Sequence, residues 1–439
     1  MTAALLTTAP ATAPGPTAAR PYPLWEMLVP PSRFDLPERQ LVSAAGSRLR
    51  FADGHEVMDA TSGLWNVNLG YGNPAIAAAV GAALTEASYL SLFRYGHRYA
   101  VDAAARLVDA AGPDRYRRVL YSTSGGSGND LVMKLARQYA VLNGDPRRTL
   151  VVGFKGSYHG LTYGAFAVSG EDLGQQMYGV DVRQVRHVSP DRPEELERLM
   201  AREGHRVAAV ICEPVLGSGT HVVGPEMIEA LLRLRAEHGY LLVADEVATG
   251  FGRTGPLFAS DRWPDAPDLL LTSKGLTNGT CAASAVLVSH RVAAAFDRHD
   301  ALLVHGETQA GSPPTCAAIT ATLDEFARLD ALASGERVAR RLDAVLDGLL
   351  AAVPGATGTT GTGCFRSLHL TDADGRPLDG AAVQRTIELV RVEGALVYTG
   401  PGCVQVIPPL TSSDQDLDAL ERALRTGLAR AAREVGNHR

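Results

Sequence analysis

The run Leu241-Leu242-Val243-Ala244 ends in two carboxylates, Asp245 and Glu246, and Lys274 follows 29 positions after Asp245. An acid at the mouth of a buried strand is costly unless a cation meets it. Other polar groups fall at comparable places. Ser124-Gly125-Gly126-Ser127 follows the apolar stretch 118–121 and precedes a helical pattern. Backbone N–H groups in such a turn can face a ligand, and the following helix N-terminus favours an anion. The turn has neither the GxGxxG spacing of a dinucleotide site nor the GK[ST] ending of a triphosphate loop, so a monophosphate suits it better. Tyr158-His159-Gly160 and Glu213-Pro214 close two further apolar runs. Taken singly, a tight turn, a packed aromatic and a hydrogen-bonded histidine explain these residues. Taken together they match one set of demands. Pyridoxal phosphate asks for a lysine to form an imine, an acid for its ring nitrogen, an anion hole and an aromatic face. Lys274, Asp245, the 124–127 turn and Tyr158 supply all four.

The elements that must position these groups are legible as patterns. "TLVVGF" (149–154), "VAAVIC" (207–212), "YLLVA" (240–244), "LLLT" (269–272) and "SAVLVS" (284–289) are short and continuously apolar. Such runs imply strands covered on both faces, hence a mainly parallel sheet between helices, with functional groups past the carboxyl ends of its strands. Leu131, Val132, Leu135 and Ala136 keep helical spacing after the glycine turn. Beyond residue 320 a long helical stretch, interrupted around Gly335, leads to three strand-like pieces, "FRSLHL", "GALVY" and "CVQVIP", and a last amphipathic helix. The expected α/β organisation is a large domain over 76–320 and a smaller α+β domain over 321–439 joined by 21–75. Residues 1–20, rich in Ala, Thr and Pro, are expected to be a mobile tail.

Composition sets outer bounds. The chain has 439 residues, 46% hydrophobic and 21% charged, with a net charge of −6. That describes an ordinary globular protein without a polyanion-binding surface, so no nucleic-acid partner is expected. Five scattered cysteines with no CxxC pair suit reduced thiols in a cytoplasm and fit neither a disulfide framework nor a metal site. No apolar run is long enough for a membrane span, and the first residues do not read as a signal peptide.

The motifs occur in a familiar order. "SGLWNVNLGYGNP", "DEVATGFGRTG", "SKGLTNG", "HGETQAGSP" and the "PPL" of 408–410 resemble the class III (ω-) aminotransferases, pyridoxal phosphate enzymes of fold type I. The likeness covers nearly all of the chain beyond about residue 22. It implies that Lys274 is the Schiff-base lysine and proton carrier, that Asp245 pairs with the pyridine nitrogen, and that Val247 packs on the ring face opposite Tyr158. It also implies that Gly125 and Gly126, with Ser124, bind the phosphate, that Glu213 supports the Asp245 region, and that Thr308 reaches the partner's phosphate in a homodimer or tetramer.

Two departures from the family pattern carry information. Its phosphate turn usually reads Ser-Gly-Ser/Thr-Glu, so Ser124-Gly125-Gly126-Ser127 must lean on backbone groups. In many relatives an arginine about ten residues before the proline pair binds a substrate carboxylate; Tyr398 stands there, and no Lys or Arg occurs between Arg391 and Arg422. A guanidinium is the usual answer to a carboxylate. The expected substrates are therefore an amine and an aldehyde or ketone lacking a nearby carboxylate, with an α-amino acid as donor and ping-pong exchange. The alternatives are an ω-amino acid:pyruvate-type enzyme using Arg94 or Arg98 for the carboxylate, and a decarboxylase or aminomutase on the same cofactor site. Trp65 and Phe93 are expected to line the substrate pocket with Tyr398.

Overall fold

The computed structural model describes residues 22–437; the tail expected over 1–20 lies outside them. Seven strands form the central sheet: β4 (Tyr116–Ser122), β5 (Leu150–Phe154), β6 (Val185–Val188), β7 (Val207–Cys212), β10 (Leu241–Asp245), β11 (Leu269–Ser273) and β12 (Ser284–Ser289). Their order is β4-β12-β11-β10-β7-β5-β6. β10 runs parallel to β7 and β11, and β5 parallel to β6 and β7. β12 alone is reversed, antiparallel to β11 and β4. A two-stranded hairpin, β8 (Val215–Leu216) and β9 (His221–Val222), follows β7.

Successive side chains on a strand face opposite sides, and the core divides accordingly. Leu241 and Val243 pack with Leu131, Val132 and Leu135 of the helix Gly125–Leu142. Leu242 packs on the other face with Leu231 and Met227 of the helix Pro225–His238. The same parity carries Asp245 to the face of the first helix and Glu246 away from it. Hence two adjacent carboxylates serve separate surroundings.

The first strands, β1 (Leu41–Ala45), β2 (Arg48–Phe51) and β3 (Glu56–Asp59), form a sheet completed by a strand from far along the chain, β15 (Ala395–Leu396), parallel to β3. Backbone bonds from Ile407 to Ala60 (2.7 Å) and from Leu410 to Asn68 (2.8 Å) fasten the same segments together. A third sheet holds β13 (Ala356–Thr362), β14 (Phe365–Leu370), β16 (Tyr398–Gly400) and β17 (Cys403–Val406).

Two local expectations change. The long helical stretch breaks at Asp330, whose φ of 46° separates Pro313–Arg328 from Ala331–Ala352, and Gly335 lies inside the second helix. The segment "GALVY" is not one strand, because its residues divide between β15 and β16, which belong to different sheets.

Candidate active site

Asp245 closes β10 with its side chain almost fully buried. Its Oδ2 accepts from Asn129 Nδ2 at 2.8 Å and from His159 Nδ1 at 2.7 Å. Oδ1 has only the Val247 amide, at 3.1 Å. Burial disfavours the His159 cation, but the Asp245 hydrogen bond and charge outweigh it and raise the imidazole above its ordinary value. Asp245 is thus oriented from one side by two donors on one oxygen, while its second oxygen accepts a single amide. Glu246 answers a different need. It accepts from Thr249 Oγ1, the amides of Ala259 and Ser260, and Ser260 Oγ, all at 2.7 or 2.8 Å. A buried carboxylate with four donors is structural glue for the loop after β10.

Lys274 begins the turn after β11, in a left-handed conformation with φ 48°. The chain has three lysines. Lys134 is exposed on a helix, and Lys155 is paired with Glu195 at 3.0 Å. Lys274 differs from both: burial pushes its amine down to about 8, against the opposing charges of Glu213 and Asp245. Its Nζ has no hydrogen-bond partner among the described residues and stands 4.3 Å from the centre of the Trp65 ring. A buried, readily deprotonated amine that no acceptor holds is suited to act as a nucleophile.

Trp65 organises the pocket wall. Its ring meets Phe365 edge-on at 5.2 Å and Tyr398 at 6.0 Å, and it packs against Gly217. Trp65 and Tyr398 therefore lie with Lys274. Glu213, which accepts from the amides of Tyr158 (2.8 Å) and Gly217 (3.0 Å), sits beneath this wall, and burial pushes its carboxyl up to about 7. Arg253 is fully buried and already engaged, donating to Pro408 O at 2.7 Å and to Asn68 Oδ1.

The glycine turn is the start of the helix Gly125–Leu142, with Ser124 as its cap. Ser124 Oγ accepts from the Ser127 amide at 3.1 Å. The amides of Gly125 and Gly126 belong to the first turn, where no intrahelical acceptor exists. A Cβ on Gly125 would come within 3.0 Å of both Val247 methyl groups. Val247, Gly125 and Asp245 are thus one packed unit. Gly160, at φ 123°, closes the other side, since a Cβ there would lie 2.5 Å from Gly126 Cα. Tyr158 opens towards solvent next to this loop.

Thr308 and Phe93 are not part of this cluster. Thr308 is exposed, with its carbonyl taken by Tyr89 at 3.0 Å. Phe93 is half exposed and packs on Gly306 of the same segment. Neighbouring Glu307 accepts from Ser122, from the Thr123 hydroxyl and from the Thr123 amide (3.2 Å), which ties the segment to the end of β4. Of the two arginines weighed for a carboxylate, Arg98 is paired with Glu86, whereas Arg94 is exposed and forms no ion pair among the described residues.

Sequence reasoning passed over Asn129 and treated His159 as ordinary packing. Asn129 lies three residues before Val132 on the buried stripe of its helix, and an amide on an apolar stripe marks a buried polar partner.

The residues fit pyridoxal phosphate. Asp245 Oδ1 accepts only the Val247 amide among the described residues and could meet a pyridinium, the first-turn amides of Gly125 and Gly126 would suit a phosphate, and the Lys274 amine has no hydrogen-bond partner among the described residues. Trp65 Nε1 and His159 Nε2 are buried without partners among the described residues, as expected of polar atoms that border a ligand site. Comparison with known proteins agrees. The family model for class III aminotransferases matches residues 34–428. The ω-aminotransferase of Caulobacter vibrioides is 31% identical over 91% of this chain and 96% of its own. The ω-amino acid–pyruvate aminotransferase of Pseudomonas putida is 29% identical over 87% and 90%. A pyridoxal phosphate-bound amine transaminase from an uncultivated Pseudomonas species superposes with a TM-score of 0.89, at 29% identity over 94% of this chain and 99% of that one. The expected fold type I architecture and cofactor are both met. This chain belongs to the class III aminotransferases, which use pyridoxal phosphate to move an amino group between an amine and a carbonyl compound.

Proposed function

We propose that the enzyme acts on an amine, aldehyde or ketone that lacks a carboxylate near the reacting carbon, with an α-amino acid or its keto acid as the second substrate. The observation that carries this is the wall around Lys274. Tyr398 packs edge-on against Trp65, and the guanidinium that bears on Lys274 electrostatically among the described residues, Arg253, is buried and bonded to Pro408 and Asn68. A carboxylate brought there would be desolvated without a cationic partner, at several kcal/mol.

In this reading the cofactor supplies the electron sink, and the chain supplies position and protons. Lys274 holds the aldehyde and moves the proton at the substrate carbon. Asp245, oriented by Asn129 and His159, keeps the ring nitrogen protonated. Tyr158 and Val247 cover the ring faces, Ser124, Gly125 and Gly126 bind the phosphate, and Glu213 fixes the Tyr158 loop. Thr308 and Phe93 serve the site of a second copy. Exposed Leu302, Val304, Phe93 and Tyr95 around that segment support a homodimer, since large apolar surface of this kind marks interfaces. Free cysteines are compatible with a reducing cytoplasm, and no described helix is long and apolar enough to cross a membrane.

Steady-state kinetics on n-butylamine and 4-aminobutyrate test the proposal. The amine is expected to have the higher kcat/KM, and Y398R is expected to move the ratio towards the acid. A wild-type preference for the acid, lost in R94A, would favour the ω-amino acid reading instead.

A further inference from the structure

We propose that Glu171 selects, for this transamination, amines that carry a second cationic group, such as α,ω-diamines. The inference deepens the carboxylate-free reading and rests on it.

Glu171 stands on a built loop. Its amide donates to Ser157 O at 3.2 Å, the Gly170 amide donates to the same carbonyl at 2.9 Å, and the Gly156 amide donates to Gly170 O at 3.1 Å. Gln175 Nε2 donates to the Glu171 carbonyl at 2.6 Å. The loop returns the chain to Ser157, next to Tyr158, so Glu171 is delivered to the ring-covering residue. Its carboxyl faces the Ser218 hydroxyl, one residue beyond the Gly217 that packs under Trp65. It is also close enough to act electrostatically on both Tyr158 and Tyr398. Three elements thus converge on one acid at the pocket rim: the 157–171 loop, the β8–β9 hairpin and β16.

This acid has no cation. Glu171 is partly buried and forms no ion pair among the described residues, and its burial raises its carboxyl above the ordinary range. A partly desolvated carboxylate facing only neutral hydroxyls is satisfied best by a positive charge. Glu213 faces inward and accepts two amides, and Lys274 is committed below. The missing cation can therefore come from the far end of the substrate. The same acid would repel an ω-carboxylate, consistent with Tyr398 in place of an arginine. The reaction itself is unchanged: one amine of the diamine becomes a carbonyl and a keto acid becomes an amino acid, while the second ammonium only binds.

The test uses the holoenzyme with pyruvate and three probes: 1,4-diaminobutane, n-butylamine and 4-aminobutyrate. The wild type is expected to prefer the diamine over the monoamine in kcat/KM by about tenfold to a hundredfold, the range of a hydrogen bond to a charged group. E171Q is expected to abolish that ratio by lowering the diamine alone, E171D to keep it, and E171K to raise 4-aminobutyrate. Melting-temperature shifts should follow the same order, with the diamine stabilising the wild type more than E171Q. Equal rates for diamine and monoamine in the wild type, or equal losses for both in E171Q, would overturn the proposal. Failure of the underlying reading shows separately, as 4-aminobutyrate outrunning n-butylamine in the wild type.

Discussion

The Lys274 amine offers a quantitative check that does not depend on turnover. Burial lowers it from 10.5 to about 8. At pH 7 that raises the neutral fraction from ~0.03% to ~9%, roughly 300-fold. Competitive labelling of the cofactor-free protein with trace acetic anhydride, read by peptide mass spectrometry, reports this fraction directly. The Lys274 rate should titrate with a midpoint near pH 8, and exposed Lys134 gives an internal reference for labelling. The sign of a perturbation follows from the same contacts. Glu213 holds the Lys274 value up, and Glu213 itself is ionised above about pH 7, so its charge is present where Lys274 titrates. E213Q should move the Lys274 midpoint below that of the wild type. A Lys274 midpoint at the ordinary lysine value of about 10.4 would refute the claim that burial governs the amine, and an upward move in E213Q would refute the role given to the Glu213 charge.

G160A should destabilise by about 1–3 kcal/mol or more, because φ 123° and a 2.5 Å approach to Gly126 Cα leave no room for a Cβ; thermal melting of the cofactor-free protein measures it. N129A should cost about 1–3 kcal/mol by stripping one donor from Asp245 and one from the His159 carbonyl, and it should speed cofactor loss on dialysis. T308A should leave melting of the cofactor-free protein unchanged while weakening cofactor retention in a concentration-dependent way, as expected of a site shared between copies.

Much of the central sheet was legible because its strands are buried on both faces. The runs 207–212 and 284–289 match β7 and β12 residue by residue. The turn at 124–127 was legible for a local reason, a serine cap followed by glycines. Pairing was not. Nothing in "SAVLVS" says that β12 runs against its neighbours, since a continuous apolar run is the same read in either direction. The sheet shared by β3 and β15 joins residues more than three hundred positions apart, and strand partners at that range are chosen by packing rather than by local pattern. The break at Asp330 escaped because a non-glycine left-handed residue leaves little mark, while Gly335 draws attention and is simply helical. In the site, Lys274 and Asp245 stood out as charges at the ends of apolar strands. Asn129, 116 positions from Asp245, did not, because its meaning depends on which strand its helix covers.

The central claim is that Lys274 holds the cofactor, and the chain makes this unusually easy to test because it has only Lys134, Lys155 and Lys274. Borohydride reduction of the holoenzyme followed by peptide mapping should place the pyridoxyl mass on Lys274 alone, and K274A should retain cofactor only non-covalently with turnover down by at least ~10²–10⁴-fold. A pyridoxyl group on Lys134 or Lys155, or unchanged labelling of K274A, would contradict the account.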